Sequence, residues 1–220
     1  MLKKDFAVYC LKYAESTLPE HMVFENGNKD IKLPISFVVY LIKTQDKLIL
    51  VDAGCDTMPG FCMKRYFSPA FVLRRVGVAP SDITDLIITH AHHDHIDAAR
   101  HFKNAVIHIT KEEYESGAKY LTDAKEINII GEEYEIVPTV KIKKWGGHSL
   151  GSVIVEIKDN NITHVLAGDE CYTNQNINDK ICTGIYVDRQ KATKFVTKYS
   201  DKKYCVHTCH DVSLKDERII

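Results

Sequence analysis

The sequence has no long apolar run: no segment approaches the roughly eighteen uninterrupted apolar residues that suggest a membrane-spanning helix. Near the start, Asp5 and Lys12 interrupt the apolar residues before they reach the length of a signal-peptide core. The seven cysteines are odd in number and include no C-x-x-C pair, unlike the disulfide framework of a small secreted domain. We therefore expect a protein of a reducing compartment, the cytoplasm, with no membrane partner.

An excess of charge of either sign is also missing. The 29 Lys and Arg residues nearly balance the 30 Asp and Glu residues, which gives a formal net charge of -1. No nucleic-acid partner is expected, because such partners need a basic surface. No internal repeat or low-complexity linker marks a boundary, and 220 residues can bury one large core. We predict a single domain over residues 1–220, and the sequence does not define an oligomeric state.

Strand-like and helix-like segments alternate along the chain. Runs rich in β-branched and aromatic residues predict strands in "FAVYCLKY", "FVVYLIKT", "DKLILVDAG", "AVIHIT", "EEYEIVPTVKIKKWGG" and "KYCVHT". In "PSDITDLIITH" a turn and a short step precede a buried strand, and "SVIVEIKDNNITHVLAGDE" has strands on both sides of a turn at residues 159–161. Helical spacing predicts one or two short helices over Met58 to Val78, and further helices in "DHIDAARHF", in "KEEYESGAKYL" and around Arg189 to Tyr199. The polar stretch from Asn174 to Lys180 has no predicted element. The pattern predicts an α/β fold of two sheets packed face to face, with helices outside.

The stretch "LIITHAHHDHIDAARHF", Leu86 to Phe102, holds five histidines and two aspartates. Within it, His90, His92, Asp94 and His95 form the pattern H-x-H-x-D-H, where a strand-like run gives way to a helix-like one. Residues two apart in an extended turn project to the same side, so His90 and His92 can share one metal ion. Asp94 and His95 lie at the first turn of the following predicted helix, so their side chains point away from that first pair. Two divergent ligand pairs from one turn suit two neighbouring metals.

A dinuclear site needs further ligands, and three lie at the ends of other strand-like runs. His148 sits in "WGGHSLGS", where flanking glycines let the backbone bend close to a metal. Asp169 ends "THVLAGDE" and could bridge two metals, and His210 follows the last strand. Taken singly, each of the three residues also has an interpretation without metal. His148 could be a loop residue, Asp169 a helix cap and His210 a surface histidine. His207 is the alternative to His210, but alternation places position 207 in the strand and 210 in the turn.

Together these motifs resemble the metallo-β-lactamase superfamily, through "THAHHDH", "GGHSLG", "AGDE" and "CHD", with "LILVDAG" upstream. The likeness spans about Phe37 to Asp211. It implies an αββα sandwich of two mixed β-sheets flanked by helices, with two divalent metal ions at one edge of the sheets. Zinc is the expected metal, and manganese or iron also suits such nitrogen and oxygen donors. The implied ligands are His90, His92 and His148 for the first metal, Asp94, His95 and His210 for the second, and Asp169 between them.

Within the superfamily, "LPISFVVYLIKTQDKLILVDAG", "HSLGS" and the closing "HD" are similar to the N-acyl homoserine lactone lactonases. Tyr172, three residues after Asp169, stands where those lactonases carry a tyrosine that assists at the substrate carbonyl. Three features depart from them. His93 replaces a residue that is often apolar or aromatic, "HIDAA" replaces a Gly-Gly pair, and Cys209 replaces a glycine. These changes border the expected pocket, so the resemblance leaves the particular substrate open.

The resemblance predicts a dinuclear metal-dependent hydrolase that opens lactones, or cleaves related small-molecule esters, through a metal-bridging hydroxide. In this hypothesis Asp94 orients the hydroxide, Tyr172 stabilises the oxyanion, and a metal or Asp169 passes a proton to the leaving alkoxide. The alternatives are a thioesterase resembling hydroxyacylglutathione hydrolase, a phosphodiesterase of the same superfamily, and a non-catalytic metal-dependent ligand-binding or sensing protein.

Other histidines and cysteines receive plainer interpretations. His164 has no ligand-type neighbour in the sequence and is expected to be a surface or packing residue. His93 could face the substrate, but an exposed polar residue is the plainer account. Cys171 and Cys209 lie close to predicted ligands, so they could sense oxidation or trap a soft metal. We favour small buried hydrophobic side chains for both.

Overall fold

A computed structural model describes residues 6–220 as two packed β-sheets with short helices around them. The larger sheet is formed by β1 (Ala7–Pro19), β2 (Lys32–Lys43), β3 (Leu48–Val51), β4 (Asp85–Ile87), β5 (Val106–Thr110), β6 (Glu126–Ile130) and β12 (Glu217–Arg218). The smaller sheet is formed by β7 (Glu133–Val137), β8 (Val140–Lys144), β9 (Val153–Asp159), β10 (Ile162–Leu166) and β11 (Tyr204–His207).

Both sheets mix parallel and antiparallel pairs. The spatial order is β12-β1-β2-β3-β4-β5-β6 in the larger sheet and β11-β10-β9-β8-β7 in the smaller one. In the larger sheet β12, β1, β2 and β3 pair antiparallel, while β3 to β6 pair parallel. In the smaller sheet only β10 and β11 pair parallel. The predicted α/β sandwich of two mixed sheets is therefore confirmed.

The helices are short, with the exception of the last one. They are α1 (Glu20–Val23), α2 (Pro69–Val72), α3 (His93–Ile96), α4 (Lys111–Gly117), α5 (Asn174–Asp179) and α6 (Arg189–Tyr199). The predicted helix in "DHIDAARHF" is one α-helical turn, α3, followed by a 3-10 segment over Asp97–His101. The polar stretch without a predicted element contains α5, because the side chains of Thr173 and Asn176 cap its first turn reciprocally.

Side chains that alternate between the two faces of each strand pack into three apolar layers. In β3, Ile49 and Val51 face the core between the sheets, whereas Leu50 faces the core under α2 and α3. Ile154 of β9 packs on the outer side with Phe195 of α6. Strands buried on both faces appear in the sequence as continuous apolar runs, as "LILV" does. No helix among residues 6–220 is long and apolar enough to cross a membrane.

A buried polar cluster fixes the start of β4. Asp85 is 1% exposed, and its carboxylate accepts hydrogen bonds from Lys47 Nζ, Thr84 Oγ1 and His108 Nε2 at 2.7–2.9 Å. Burial alone would raise the pKa of Asp85, but the hydrogen bonds from His108, Lys47 and Thr84 outweigh it and lower the pKa to about 2. The ionised carboxylate is thus favoured by the folded state.

We predict an acid-dependent loss of stability from Asp85. Because its pKa is lower in the folded than in the unfolded chain, the contribution is complete above about pH 4 and disappears as the pH falls through about 2. It is on the order of 2 kcal/mol. Urea unfolding of the chelated protein across this range should therefore show a smaller acid loss in Asp85→Asn than in the wild type. Asp46→Asn, in the exposed β2–β3 turn, is the control, and equal acid losses in all three proteins would contradict the account.

Candidate metal centre

The predicted ligands meet beyond the ends of three strands, at one hairpin loop and at one short helix. β4 leads to His90, β10 leads to Asp169 and β11 leads to His210, while His148 lies in the loop between β8 and β9. Of the remaining three, His92 is the N-cap residue of α3, and Asp94 and His95 lie within that helix. The carboxyl ends of neighbouring parallel strands lie at the same edge of a sheet, so residues far apart in sequence come together there.

Asp169 occupies the middle of the site. Its Oδ2 lies 3.5 Å from His90 Nε2 and 3.3 Å from His148 Nε2. Its Oδ1 lies 3.1 Å from His95 Nε2 and 3.2 Å from His210 Nε2. Each carboxylate oxygen therefore faces a different histidine pair, which is the disposition that a bridging ligand requires.

The other two predicted ligands join one cluster each. His92 Nδ1 lies 2.9 Å from His148 Nε2. Asp94 Oδ2 lies 3.6 Å from the Nε2 atoms of both His95 and His210. The donor atoms of the first cluster, His90, His92, His148 and Asp169, all lie within 4.8 Å of one another. The second group of donor atoms within that distance is His95, Asp169, Cys209 and His210, with Asp94 beside it. The seven predicted residues thus lie together around Asp169.

Second partners orient the histidine rings. His95 Nδ1 donates to Asp52 Oδ2 at 2.7 Å, His148 Nδ1 donates to the Ile185 carbonyl at 3.0 Å, and His210 Nδ1 donates to the Ser36 carbonyl at 2.9 Å. In each ring the Nε2 atom is left to face the site. Metal-binding histidines are held in this way, because the outer hydrogen bond fixes both tautomer and orientation.

The residues fit a pair of divalent cations. His90 Nε2 and His95 Nε2 are fully buried and have no hydrogen-bond partner among the described residues. A buried polar atom without a partner is costly, and a cation at this position would satisfy it. Burial opposes ionisation of Asp169, but the surrounding histidines, His95 first, hold its pKa well below the usual range. Histidine and carboxylate donors of this kind suit zinc.

Asp52, in the "LILVDAG" segment, is a supporting residue whose role the sequence alone does not reveal. It follows β3 with a left-handed backbone (φ 62°), which aspartate tolerates better than most residues. Its Oδ1 accepts from Thr89 N, and its Oδ2 accepts from Thr89 Oγ1 and His95 Nδ1. Asp52 thereby ties the end of β3 to the histidine loop. In the sequence, the feature that could have indicated this role is the "DAG" motif directly after the apolar strand β3.

Glu113 is a supporting residue that the sequence interpretation missed. It lies in α4 and is 4% exposed. Its Oε2 accepts from Ala91 N at 2.8 Å, and its Oε1 accepts from Ser149 Oγ at 2.7 Å and Gly151 N at 2.9 Å. One buried carboxylate therefore joins the loop of His90 and His92 to the loop of His148. No local signal in "KEEYESG" reveals this role, because all three partners lie elsewhere in the chain.

Glu170 supports the His148 loop from the other side. Its Oε1 accepts from Gly147 N and His148 N at 3.0 Å and from Ser152 Oγ at 2.5 Å. A Cβ on Gly147 would lie 2.3 Å from Glu170 Oε2, so the close approach requires glycine. Burial raises the pKa of Glu170 to about 7 against these hydrogen bonds. The glycines of "WGGHSLGS" thus serve the packing of the loop as well as its bend.

An apolar cavity of about 240 Å³ opens onto the site. Its polar lining comes from His92, His93, Asp94, Asp169 and His210, with Tyr172 beside them. Its apolar lining is formed by Leu18, Met22, Ile35, Phe37, Met58, Phe61 and Ile185. Several of these come from the segments 24–35 and 58–78, which carry no motif. The site therefore combines a polar floor with apolar walls.

Tyr172 lies between the two clusters. Its ring centroid is 4.9 Å from that of His210 and 6.0 Å from that of His148, and the residue is 3% exposed. Burial and then the charge of Asp169 raise the pKa of Tyr172 well above its usual value. The phenol therefore keeps its proton and can donate a hydrogen bond.

His93 joins two segments beside the cavity. Its Nε2 lies 2.7 Å from the Thr57 carbonyl and its Nδ1 lies 3.0 Å from Tyr120 Oη. Its side chain is 25% exposed, so the expectation of an exposed polar residue was wrong. The ring holds the loop after β3 against the 3-10 segment that follows α4, while still lining the cavity.

The two cysteines next to predicted ligands differ from each other. Cys171 packs in the layer under α6, as expected of a small buried side chain. Cys209 is also buried, but its thiol contacts Asp169 Oδ1 at 3.0 Å and the Gly168 carbonyl at 3.2 Å. The residue that replaces a glycine of the lactonases thus touches the central carboxylate of the site.

The fold and this donor arrangement define a metallo-hydrolase-like site, and comparison with known families agrees. The metallo-beta-lactamase superfamily model matches residues 38–199. This chain belongs to that superfamily.

Individual relatives point to one branch of the superfamily. An N-acyl homoserine lactonase of Bacillus cereus is 31% identical over 167 residues, covering 64% of this chain and 66% of the relative, just under two thirds of its length. The structure of the B. thuringiensis lactonase AiiA with N-decanoyl-L-homoserine bound at the active site superposes with a TM-score of 0.81, 23% identity and coverage of 97% and 98% of the two chains. AidC, described as a dizinc quorum-quenching lactonase, gives a TM-score of 0.76 with 20% identity and coverage of 95% and 88%. At these identities the structural likeness concerns the fold.

Proposed function

We propose that this protein is a dinuclear metal-dependent hydrolase that opens N-acyl homoserine lactones or closely related lactones. The observation that carries the proposal is the position of Asp169. Its two oxygens face two separate histidine pairs at the floor of an apolar cavity. The lactonase relatives support the substrate class.

Two divalent ions, zinc first, are the proposed cofactors. His90, His92 and His148 would hold one ion, Asp94, His95 and His210 the other, and Asp169 both. When bound, such ions polarise a carbonyl group and activate water for attack on it.

The chain's own residues position the reactants. Tyr172, which keeps its proton, donates a hydrogen bond to the carbonyl oxygen as negative charge develops there. Asp94 lines the cavity and orients the attacking water. Asp169 passes a proton from that water to the ring oxygen when the carbonyl carbon–oxygen bond breaks. Water is thus added across the ester bond, and the product is a hydroxy acid.

In this proposal the apolar walls of the cavity bind the acyl chain of the substrate. Met22, Ile35, Met58, Phe61 and Ile185 surround the space above the polar floor. A hydrocarbon chain gains about 0.8 kcal/mol per buried CH₂ group, so these walls favour acyl lactones over small polar esters. This lining supports the lactone hypothesis over a phosphodiesterase, whose substrate is charged along its length.

Tyr172→Phe tests the assigned oxyanion donor. We expect kcat for an acyl homoserine lactone to fall about 10²-fold, since one preorganised donor to the oxyanion is lost. KM and the metal content per chain should change little, because the ring and its packing remain. Steady-state kinetics with metal analysis measures both.

The matched control is Tyr134→Phe. Tyr134 lies on β7, 37% exposed and beside His108, and it does not line the cavity. It should retain wild-type kcat. Unchanged kcat in Tyr172→Phe would remove the tyrosine from the mechanism.

We also propose that residues 1–220 act as one hydrolase domain in the cytoplasm. The apolar layer between the sheets takes residues from both of them, among them Val8, Ile87, Val140 and Leu166. All seven cysteines are free in the described part of the chain, which suits a reducing compartment.

A further inference from the structure

A second cluster of metal-ligand side chains lies on the outer strands of the smaller sheet. It consists of His164 on β10 and of Cys205 and His207 on β11, and we call it the edge cluster. In the parallel pair His164 stands opposite Cys205, and Leu166 stands opposite His207. Paired residues point to the same face of a sheet, as do residues two apart, so the register alone places the three side chains together.

The donor atoms of the edge cluster are close enough to share one ion. One ligand atom from each of the three residues lies within 4.8 Å of the others. His164 Nδ1 lies 2.9 Å from His207 Nε2, and the two rings stack with an interplanar angle of 9°. The same 2.9 Å separates His92 Nδ1 from His148 Nε2 in the candidate metal centre. In both pairs two imidazole nitrogens come equally close, although the rings are parallel in the edge cluster and nearly perpendicular, at 84°, in the candidate metal centre.

The surroundings suit an ion that enters from solvent. β11 is the outermost strand of its sheet, and Cys205 is exposed while His164 is 9% exposed. His164 Nε2 lies 3.8 Å from Asp159 Oδ2. A carboxylate on that side favours a proton on Nε2, and the other ring nitrogen, Nδ1, faces His207 Nε2. His164 packs against His207, as expected of a packing residue, but it does have ligand-type neighbours in space, which come from a strand about 40 residues later.

We propose that the edge cluster is a third metal site, which binds a borderline transition metal such as zinc through two imidazoles and one thiolate. A thiolate and two neutral nitrogens select zinc, cobalt or copper over magnesium and calcium. The Cys205 thiol releases its proton to solvent as its sulfur binds the ion, and water completes the coordination. The cluster shares no residue with the candidate metal centre.

Cobalt(II) absorption distinguishes the edge cluster from the candidate metal centre. Metal-free protein is titrated with cobalt alone, and a thiolate-to-cobalt charge-transfer band in the near ultraviolet is expected in the wild type. Cys205→Ser should lose the band and about one equivalent of bound cobalt. Cys62→Ser, another exposed cysteine, should keep both. Cys209→Ser should also keep the band, although its thiol lies in the candidate metal centre.

A labelling experiment gives a second readout that does not depend on activity. Zinc should protect Cys205 from iodoacetamide in the wild type, and this protection should be lost in His164→Gln. Labelling of Cys62 should not respond to zinc. Equal labelling of Cys205 with and without zinc would overturn the proposal, as would a cobalt band that persists in Cys205→Ser and disappears in Cys209→Ser.

Discussion

Replacing Asp169 with Asn is expected to lower kcat/KM for an acyl homoserine lactone by about 10³-fold. The amide keeps the size of the side chain, but it loses the charge and one of the two acceptor oxygens that face the histidine pairs. Metal polarisation of the substrate contributes several kcal/mol, and about 4 kcal/mol corresponds to that factor. Metal content should fall from about two ions per chain, since Asp169 is the ligand residue that both donor groups share in the described part of the chain.

Metal analysis and kinetics on the same preparation test this expectation. Asp46→Asn, in the exposed turn between β2 and β3, is a matched change of charge and should retain activity. Circular dichroism shows whether the Asp169→Asn protein is folded. A folded variant with two bound metals and full lactone turnover would reject Asp169 as the shared ligand.

Replacing Glu113 with Gln is expected to damage the site without touching a predicted ligand. The carboxylate accepts three hydrogen bonds, from Ala91 N, Ser149 Oγ and Gly151 N. Gln has only one acceptor oxygen, so its amide nitrogen must face a buried donor. We expect a loss of about 2 kcal/mol in the free energy of unfolding. We also expect a 10- to 100-fold weaker metal affinity, the usual range for partners that orient ligands.

Glu115→Gln provides the matched control, because Glu115 is 63% exposed on the same helix. Chelator competition measures metal affinity, and urea unfolding of the metal-free proteins measures stability. If Glu113 only stabilised the fold, Glu113→Gln would lose unfolding free energy but keep its metal affinity. Unchanged affinity would therefore contradict a positioning role.

The grouping of the candidate ligands was predictable from the sequence because several of them follow strands with clear apolar signals. "DLIITH" and "THVLAGDE" each contain a buried strand, and His210, which strand alternation preferred to His207, lies 3.2 Å from Asp169. The sandwich followed from the same runs. These predictions were possible because they depend on local features of the sequence. The strand ends, the glycines and the ligand spacing of each motif lie within a few residues of each other.

The supporting contacts could not be predicted in this way, since they join distant segments. Glu113 reaches back 22 residues to Ala91 and forward 36 to Ser149. His164 and His207 are 43 residues apart and meet only because β10 and β11 pair in parallel. Strand pairing fixes such contacts, and a single sequence shows the strands but not their register.

The short elements were missed for a different reason. α5 is a single polar helix held by its cap, and β12 is a two-residue strand that pairs with β1. Neither has an apolar period that a pattern search can detect. Both depend on contacts to the rest of the molecule.

The most direct test of the account is hydrolysis by purified, metal-quantified protein of a panel of substrates. The panel contains acyl homoserine lactones of different chain length, other lactones, a glutathione thioester and bis-p-nitrophenyl phosphate. We predict lactone turnover at about two metals per chain, faster for longer acyl chains because of the apolar walls. Turnover of the thioester or the phosphodiester without hydrolysis of any lactone would contradict the proposed substrate class. Binding of acyl lactones without turnover of any substrate would indicate a sensing protein.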